Sequence, residues 1–248
     1  MEVRTLVSVP FEESGLPVYM ACPAEDKTRP GLIVIHEIWG LADHIKDVAD
    51  RFCEQDFEVV APDLMHGTDA EPYARPELAE ALFDPGRHRD KQADLRALYT
   101  PLRSPEFAAH TVAKLQTVFS YLRDKNPDRK IGVVGFCFGG TYSFKLAAVQ
   151  PDLSAAVPFY GHGDFTDEEA AKIKAPILAF YGDQDKALMD DLPVLQRHLE
   201  GAGVDFTAKV YPNAKHAFFN DTNPITYNKA AAKDAWQLTL DFLNQHLR

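Results

Sequence analysis

The sequence is poor in the residues that metal, redox and membrane functions draw on. It has three cysteines, Cys22, Cys53 and Cys137. None stands in CxxC or CxxH spacing, so neither a zinc site nor a disulfide framework is expected. A reducing cytoplasm is the simplest setting for such a chain. No apolar run reaches transmembrane length. The N-terminal stretch MEVRTLVSVPFEESG contains Glu2 and Glu13 and no long apolar core, so a secretory leader is not expected either. Positive charge is also in deficit. Twenty-six Lys and Arg against 37 Asp and Glu leave a formal net charge of −11. That balance argues against nucleic acid or an anionic membrane as partner. Nothing calls for a metal or an organic cofactor. Repeats, low-complexity tracts and linkers are absent as well.

What remains is a 248-residue chain with 46% hydrophobic residues, enough for one large core. A single domain over residues 1–248 is expected. Val3 to Val9 and Gly15 to Cys22 read as an antiparallel hairpin at a sheet edge, followed by a polar loop from Asp26 to Pro30. Gly31 to His36 is a short continuous apolar run, the mark of a parallel strand buried on both faces. Asp43 reads as the N-cap of a helix with Ile45, Val48, Ala49 and Phe52 on one face. Phe57 to Ala61 is the next strand, ended by Pro62. Residues 63–105 have a looser pattern, with short helices expected over Glu77 to Phe83 and His88 to Tyr99, and suggest a cap or lid. A helix from Phe107 to Arg123 precedes the strand of Ile131 to Gly135. Further strands are expected at Ala155 to Tyr160, Ala175 to Tyr181 and Asp205 to Tyr211. Helices are expected from Leu188 to Leu199, with Pro193 marking a candidate start, and from Tyr227 to Leu247. In the last, Ala231, Ala235, Leu238, Phe242 and Leu247 form the apolar face. This alternation predicts an α/β fold: a mostly parallel sheet with helices on both faces, three layers in all.

Reactive chemistry in such sheets lies beyond the C-terminal ends of the strands. Three strand ends carry it here. Gly135-Phe136-Cys137-Phe138-Gly139 is a strand–turn–helix junction in Gly-x-Cys-x-Gly form, the context of a nucleophile elbow that carries Cys in place of the usual Ser. Gly182-Asp183-Gln184-Asp185 brings two carboxylates to the end of another strand, and His216 follows a third. The order nucleophile, acid, histidine is that of α/β-hydrolases. In that arrangement His216 acts as base and then acid, and Asp185 holds its other ring nitrogen. Asp183 is expected to face solvent or brace the loop. Taken singly, a loop Asp is a turn former and a loop His is exposed; their joint placement carries the argument. Glu37, after the first core strand, is placed to approach the thiol, with a surface ion pair as its plainer role. The backbone N–H groups of Ile38 and Phe138 are the expected oxyanion donors.

His-Glu-Ile-Trp-Gly, Ala-Pro-Asp-Leu, Gly-Phe-Cys-Phe-Gly-Gly, Gly-Asp-Gln-Asp and Tyr-Pro-Asn-Ala-Lys-His-Ala-Phe occur in this order from about Gly15 onward. Together they resemble the dienelactone hydrolase (carboxymethylenebutenolidase) family. The resemblance implies a compact α/β-hydrolase fold, a Cys137–Asp185–His216 triad and a monomer. It also implies that Glu37 contacts the resting thiol and helps generate the thiolate when substrate arrives. Cys137 would then attack a small-molecule ester or lactone, and water would release the acyl-thioester. The family has an Arg shortly after its histidine that binds a substrate carboxylate; residues 217–220, Ala-Phe-Phe-Asn, supply none. Arg87 and Arg89 lie near the family's second Arg. Trp39 and Phe218, with Phe136 and Phe138, are expected to give an apolar pocket wall. Two other readings compete. One is a thioesterase or cysteine peptidase on the same elbow; the other is a non-catalytic small-ligand binder on a hydrolase fold.

Overall fold

The computed structural model describes residues 2–23, 29–83, 86 and 89–248, without the side chains of Glu2, Val3, Cys22, Pro23, Glu80 and Phe83. Eight strands form one sheet: β1 (Glu2–Val9), β2 (Leu16–Pro23), β3 (Gly31–Ile35), β4 (Glu58–Pro62), β5 (Ile131–Phe136), β6 (Ala155–Phe159), β7 (Ile177–Gly182) and β8 (Phe206–Tyr211). Their order is β1-β2-β4-β3-β5-β6-β7-β8. β1 and β2 form the expected antiparallel edge hairpin, and β2 also runs antiparallel to β4. All other pairings are parallel. The central strands β3, β4, β5, β6 and β7 are buried at every residue. Their sequences are accordingly apolar without alternation, because both faces are covered. Edge strand β8 alternates at its start instead. Pro62 falls inside β4 as its last residue.

The helices among the described residues are α1 (Asp43–Cys53), α2 (Ala79–Phe83), α3 (Gln92–Leu102), α4 (Pro105–Lys125), α5 (Phe138–Val149), α6 (Asp167–Ala170), α7 (Lys186–Gly201) and α8 (Lys229–Leu247). They cover both faces of the sheet. A side chain at Gly132 of β5 would meet Leu243 and Leu247 of α8, whereas one at Gly135 would meet Gly139 and Ser143 of α5. In α1, Ile45, Val48, Ala49 and Phe52 are buried as their spacing requires. Asp43 is the first helical residue rather than the cap. Ala42 caps without a side-chain bond, and the Asp43 carboxylate takes Lys46 instead at 3.0 Å. Pro193 lies inside α7, not at its start. The buried stripe Leu188, Leu192, Leu195 and Leu199 spans it, and that burial offsets a proline cost of about 3 kcal/mol. In α8 the buried face is Ala231, Ala232, Ala235, Thr239, Leu240, Leu243 and Leu247; Leu238 and Phe242 are half-buried at its margin.

Residues 63–105 break into short pieces. Single 3-10 turns at Glu71–Tyr73, Pro76–Leu78 and Arg89–Lys91 accompany α2 and α3. The helix expected from Glu77 therefore begins as a turn led by Pro76; His88, the expected start of the next, lies outside the described residues, and that helix runs from Gln92 on to Leu102. Leu78, Ala81 and Leu95 form a small core of their own, against which Trp39, Leu82 and Tyr99 pack. The segment is tied down at its start by Lys114, which is buried and donates to the carbonyls of Leu64 (3.1 Å) and His66 (2.6 Å). No helix among the described residues is long and apolar enough to cross a membrane.

Candidate active site

The turn between β5 and α5 places Cys137 at φ 57° and ψ −110°. A side chain rarely adopts that conformation, and here it must be held by its surroundings. The Cys137 N–H donates to the Phe159 carbonyl at 3.0 Å. The flanking glycines allow the backbones to close around it. A β-carbon on Gly135 would strike the Gly139 carbonyl, and one on Gly139 would lie 2.8 Å from the His36 oxygen and closer still to the Ile35 carbonyl. Such contacts are backbone to backbone and have no flexible end to give way. Gly139→Ala is therefore expected to cost roughly 3 kcal/mol or more, read as a lowered midpoint in urea unfolding. An unchanged midpoint would show that the elbow can open.

Asp185 and His216 reach Cys137 from the ends of β7 and β8. Gly182 keeps these two loops together, since a β-carbon there would meet the Ala214 carbonyl. The backbone N–H groups of Asp183 and Gln184 donate to Tyr211 and Ala214, both at 3.0 Å. Asp185 precedes the first residue of α7 but makes no capping bond. Its Oδ2 lies 2.5 Å from Nδ1 of His216, which leaves Nε2 for the thiol. Burial disfavours the imidazolium, yet the charge of Cys137 and the bonds to Asp185 and Cys137 outweigh it and raise the His216 pKa to about 10. Asp183 is exposed, as its position suggested.

Glu37 is buried, 4% exposed, at the end of β3. Its backbone is fixed by His36, whose Nδ1 donates to the Glu37 carbonyl (2.6 Å) and whose Nε2 accepts from the Leu64 N–H (3.0 Å). Burial lowers the His36 pKa, consistent with a neutral ring in that role. Glu37 Oε2 accepts from Asn220 Nδ2 at 2.7 Å, while Oε1 makes no hydrogen bond of good geometry and faces the Tyr160 hydroxyl. Burial pushes its pKa up; His44, Asn220, His216 and Tyr160 pull the other way.

Two cavities meet at the thiol. The first, about 600 Å³, is lined by Glu37, Trp39, Leu82, Lys91, Asn220 and Ile225 among others. The second, about 670 Å³, lies toward Phe138, Arg103, Lys145, Tyr142 and Tyr160. Ile38, Tyr99, Cys137 and His216 line both. Phe138 opens α5, where N–H groups lack intrahelical acceptors. Trp39 and Phe138 thus reach the cavities, but Phe136 and Phe218 do not. Both are wholly buried in the aromatic cluster with Phe159 and Tyr160. Phe218 turns inward because Ala217 adopts φ 60° just before it. Arg89 is exposed and lines neither cavity. Arg87 lies outside the described residues. Among the described residues no group of three or more His, Cys, Asp or Glu side chains could hold a metal. Asn220, Tyr160 and Tyr99 escaped the sequence reading; only the absence of Arg after His216 drew attention to residue 220.

A parallel-dominated sheet with a strained elbow after β5 and an acid–histidine pair from the loops after β7 and β8 defines an α/β-hydrolase. The family model "Dienelactone hydrolase family" matches residues 16–247, and the chain belongs to that family of hydrolases. Protein usf of Aquifex pyrophilus is 33% identical, covering 96% of this chain and 98% of its own. A Saccharolobus solfataricus protein provisionally named a carboxymethylenebutenolidase is 31% identical over 95% of this chain and 96% of its own. Among solved structures, a Klebsiella pneumoniae protein provisionally named a dienelactone hydrolase superposes with TM-score 0.80 at 28% identity, covering 99% of each chain. The dienelactone hydrolase of Anabaena variabilis shares the fold, with TM-score 0.70 at 19% identity over 100% of this chain and 99% of that one.

Proposed function

We propose that the protein hydrolyses carboxylic esters or lactones through an acyl-thioester on Cys137. The observation that carries this reading is the line Asp185–His216–Cys137, with the thiol on a strained turn where two cavities meet. Cys137 Sγ attacks the carbonyl carbon, and the oxyanion develops toward the N–H groups of Ile38 and Phe138. Collapse breaks the ester C–O bond, and His216 gives its Nε2 proton to the departing oxygen. Neutral His216 then takes a proton from water, which attacks the thioester and frees the acid. Asp185 holds the ring through Nδ1 throughout. Glu37, beside the thiol, takes part in forming the thiolate. Among the described residues, Lys91 is the one Lys or Arg that lines the first cavity. The segment 63–105 serves as a cap, since Pro76, Glu77, Ala79, Leu82, Lys91 and Tyr99 line the first cavity.

The test is rapid-quench mass spectrometry with an activated ester and an enol-lactone. An acyl mass on the peptide bearing Cys137, formed within one turnover and lost to water, is expected. Turnover without any such adduct would exclude the covalent route, and neither turnover nor adduct would favour a binding role.

A further inference from the structure

Tyr160 follows β6 at φ 40°, a conformation unusual for an aromatic residue, with its N–H bonded to the Phe180 carbonyl at 2.7 Å. The side chain is wholly buried, and its hydroxyl makes no hydrogen bond of good geometry. Glu37 Oε1 and both ring nitrogens of His44 are in the same condition among the described residues. The phenol shares the second cavity with Cys137 and faces the Glu37 carboxylate. Burial, then the charges of Glu37 and Cys137, then a weak hydrogen bond to Glu37 push its pKa up. A buried hydroxyl or carboxylate oxygen without a well-formed bond costs stability. A loosely held donor on a strained backbone, between a carboxylate and a nucleophile, points to a hydrogen bond that shifts during the reaction.

We propose that Tyr160 is the hydrogen-bond donor that allows one negative charge to move between Glu37 and Cys137. The inference rests on Cys137 being the nucleophile. In the step concerned, the Sγ–H bond breaks and its proton passes to a Glu37 carboxylate oxygen. Carboxylate plus thiol become carboxylic acid plus thiolate, so the site carries one negative charge before and after. The Tyr160 O–H turns from the carboxylate to the sulfur and donates to whichever group is charged. It keeps its own proton throughout. A donor that serves both ends makes the exchange nearly even, which neither a fixed cation nor an apolar wall would do. Tyr99 lines both cavities with the thiol, and its pKa is raised by burial and then by the Cys137 charge. His216 lies beside Tyr160, with ring centroids 5.1 Å apart. Behind Glu37 stand Asn220 and His44 of α1, the latter 3.4 Å from Asp221. Phe136, Phe159 and Phe218 complete the shell around the phenol.

Tyr160→Phe keeps the ring and removes only the weakly bonded hydroxyl, so the fold is retained; a thermal melt verifies this. The readout is the rate of Cys137 alkylation by iodoacetamide as a function of pH, followed by mass spectrometry. Alkylation needs the thiolate but no ester, so it is independent of the assigned reaction. At neutral pH the variant is expected to react about tenfold more slowly, with its profile displaced to higher pH, as for a lost hydrogen bond to a charged group. The effect should shrink in a Glu37→Gln background, because the charge exchange is then absent. A wild-type alkylation profile in a folded Tyr160→Phe protein would overturn the proposal. So would slower ester turnover with unchanged alkylation, which would assign the hydroxyl to substrate contact. If the wild type forms no acyl adduct at all, it is the assigned reaction that fails.

Discussion

Cys137→Ala is expected to lower turnover of every accepted ester by three orders of magnitude or more, on the order seen when an acyl-transfer nucleophile is removed. The fold should survive. The side chain is half-buried and its hydrogen bond goes to the catalytic candidate His216 rather than to the scaffold, so its loss opens little cavity. The turn is held from outside, by the Phe159 carbonyl on the Cys137 N–H and the His36 carbonyl on the Gly139 N–H, at 3.0 and 3.1 Å. Alanine therefore inherits the strain without adding to it. The acid–histidine pair and the N–H donors remain in the variant, and a residual rate above that in water is expected from them. Stopped-flow hydrolysis of p-nitrophenyl acetate checks this: the wild type should give a burst and the variant none. A variant that keeps a tenth of the wild-type rate would mean that another group, or water activated by His216, carries the attack.

The parts of this site that lie along the chain could be read from it. The elbow is one local run, and the glycines it needs are two residues either side of the thiol. The parallel strands are legible because both faces are buried, which forces continuous apolar runs such as Leu32 to Ile35 and Ile177 to Phe180. Asp185 and His216 follow from the rule that chemistry lies at strand ends. What was not legible depends on how separate loops meet. Asn220 touches Glu37 across 183 residues of sequence. Tyr160 reads as the last apolar residue of a strand, and only its positive φ swings it toward the thiol. Phe218 misled for the same reason in reverse: an aromatic beside the histidine suggested a pocket wall, and Ala217 turns it into the core. Within residues 63–105, prolines favour 3-10 turns that carry no helical period, so element limits blurred there.

Replacing Asp185 with asparagine should separate the two halves of the reaction. Once Cys137 is a thiolate, burial opposes the His216 imidazolium, while the Cys137 charge, then Asp185, hold its pKa up at about 10. A histidine in that state can protonate a leaving group but cannot serve as a base at neutral pH. On the proposed route, acylation resolves the conflict. Forming the thioester removes the charge on sulfur and its bond to the ring, and with them the strongest support for the imidazolium. Burial is left opposed by Asp185 alone, the pKa falls, and neutral His216 becomes available to activate water. The sign of each pH limb follows. With an alkyl ester, kcat/KM should decline as pH rises through about 10, where the activated, thiolate form loses the His216 proton needed by the leaving group. When deacylation limits kcat, its acid limb reports the acyl-enzyme and must lie well below that. Asp185→Asn withdraws the remaining support, so this acid limb should move to still lower pH. At the same time the maximal rate should fall by a factor on the order of 10³–10⁴, because the ring loses its tautomer and orientation. Stability should change little, since Asp185 does not cap α7. The acyl-enzyme of this variant should accumulate and be visible by mass spectrometry. An acid limb displaced upward, or identical kcat and kcat/KM limbs in the wild type, would mean that the thiolate does not govern His216.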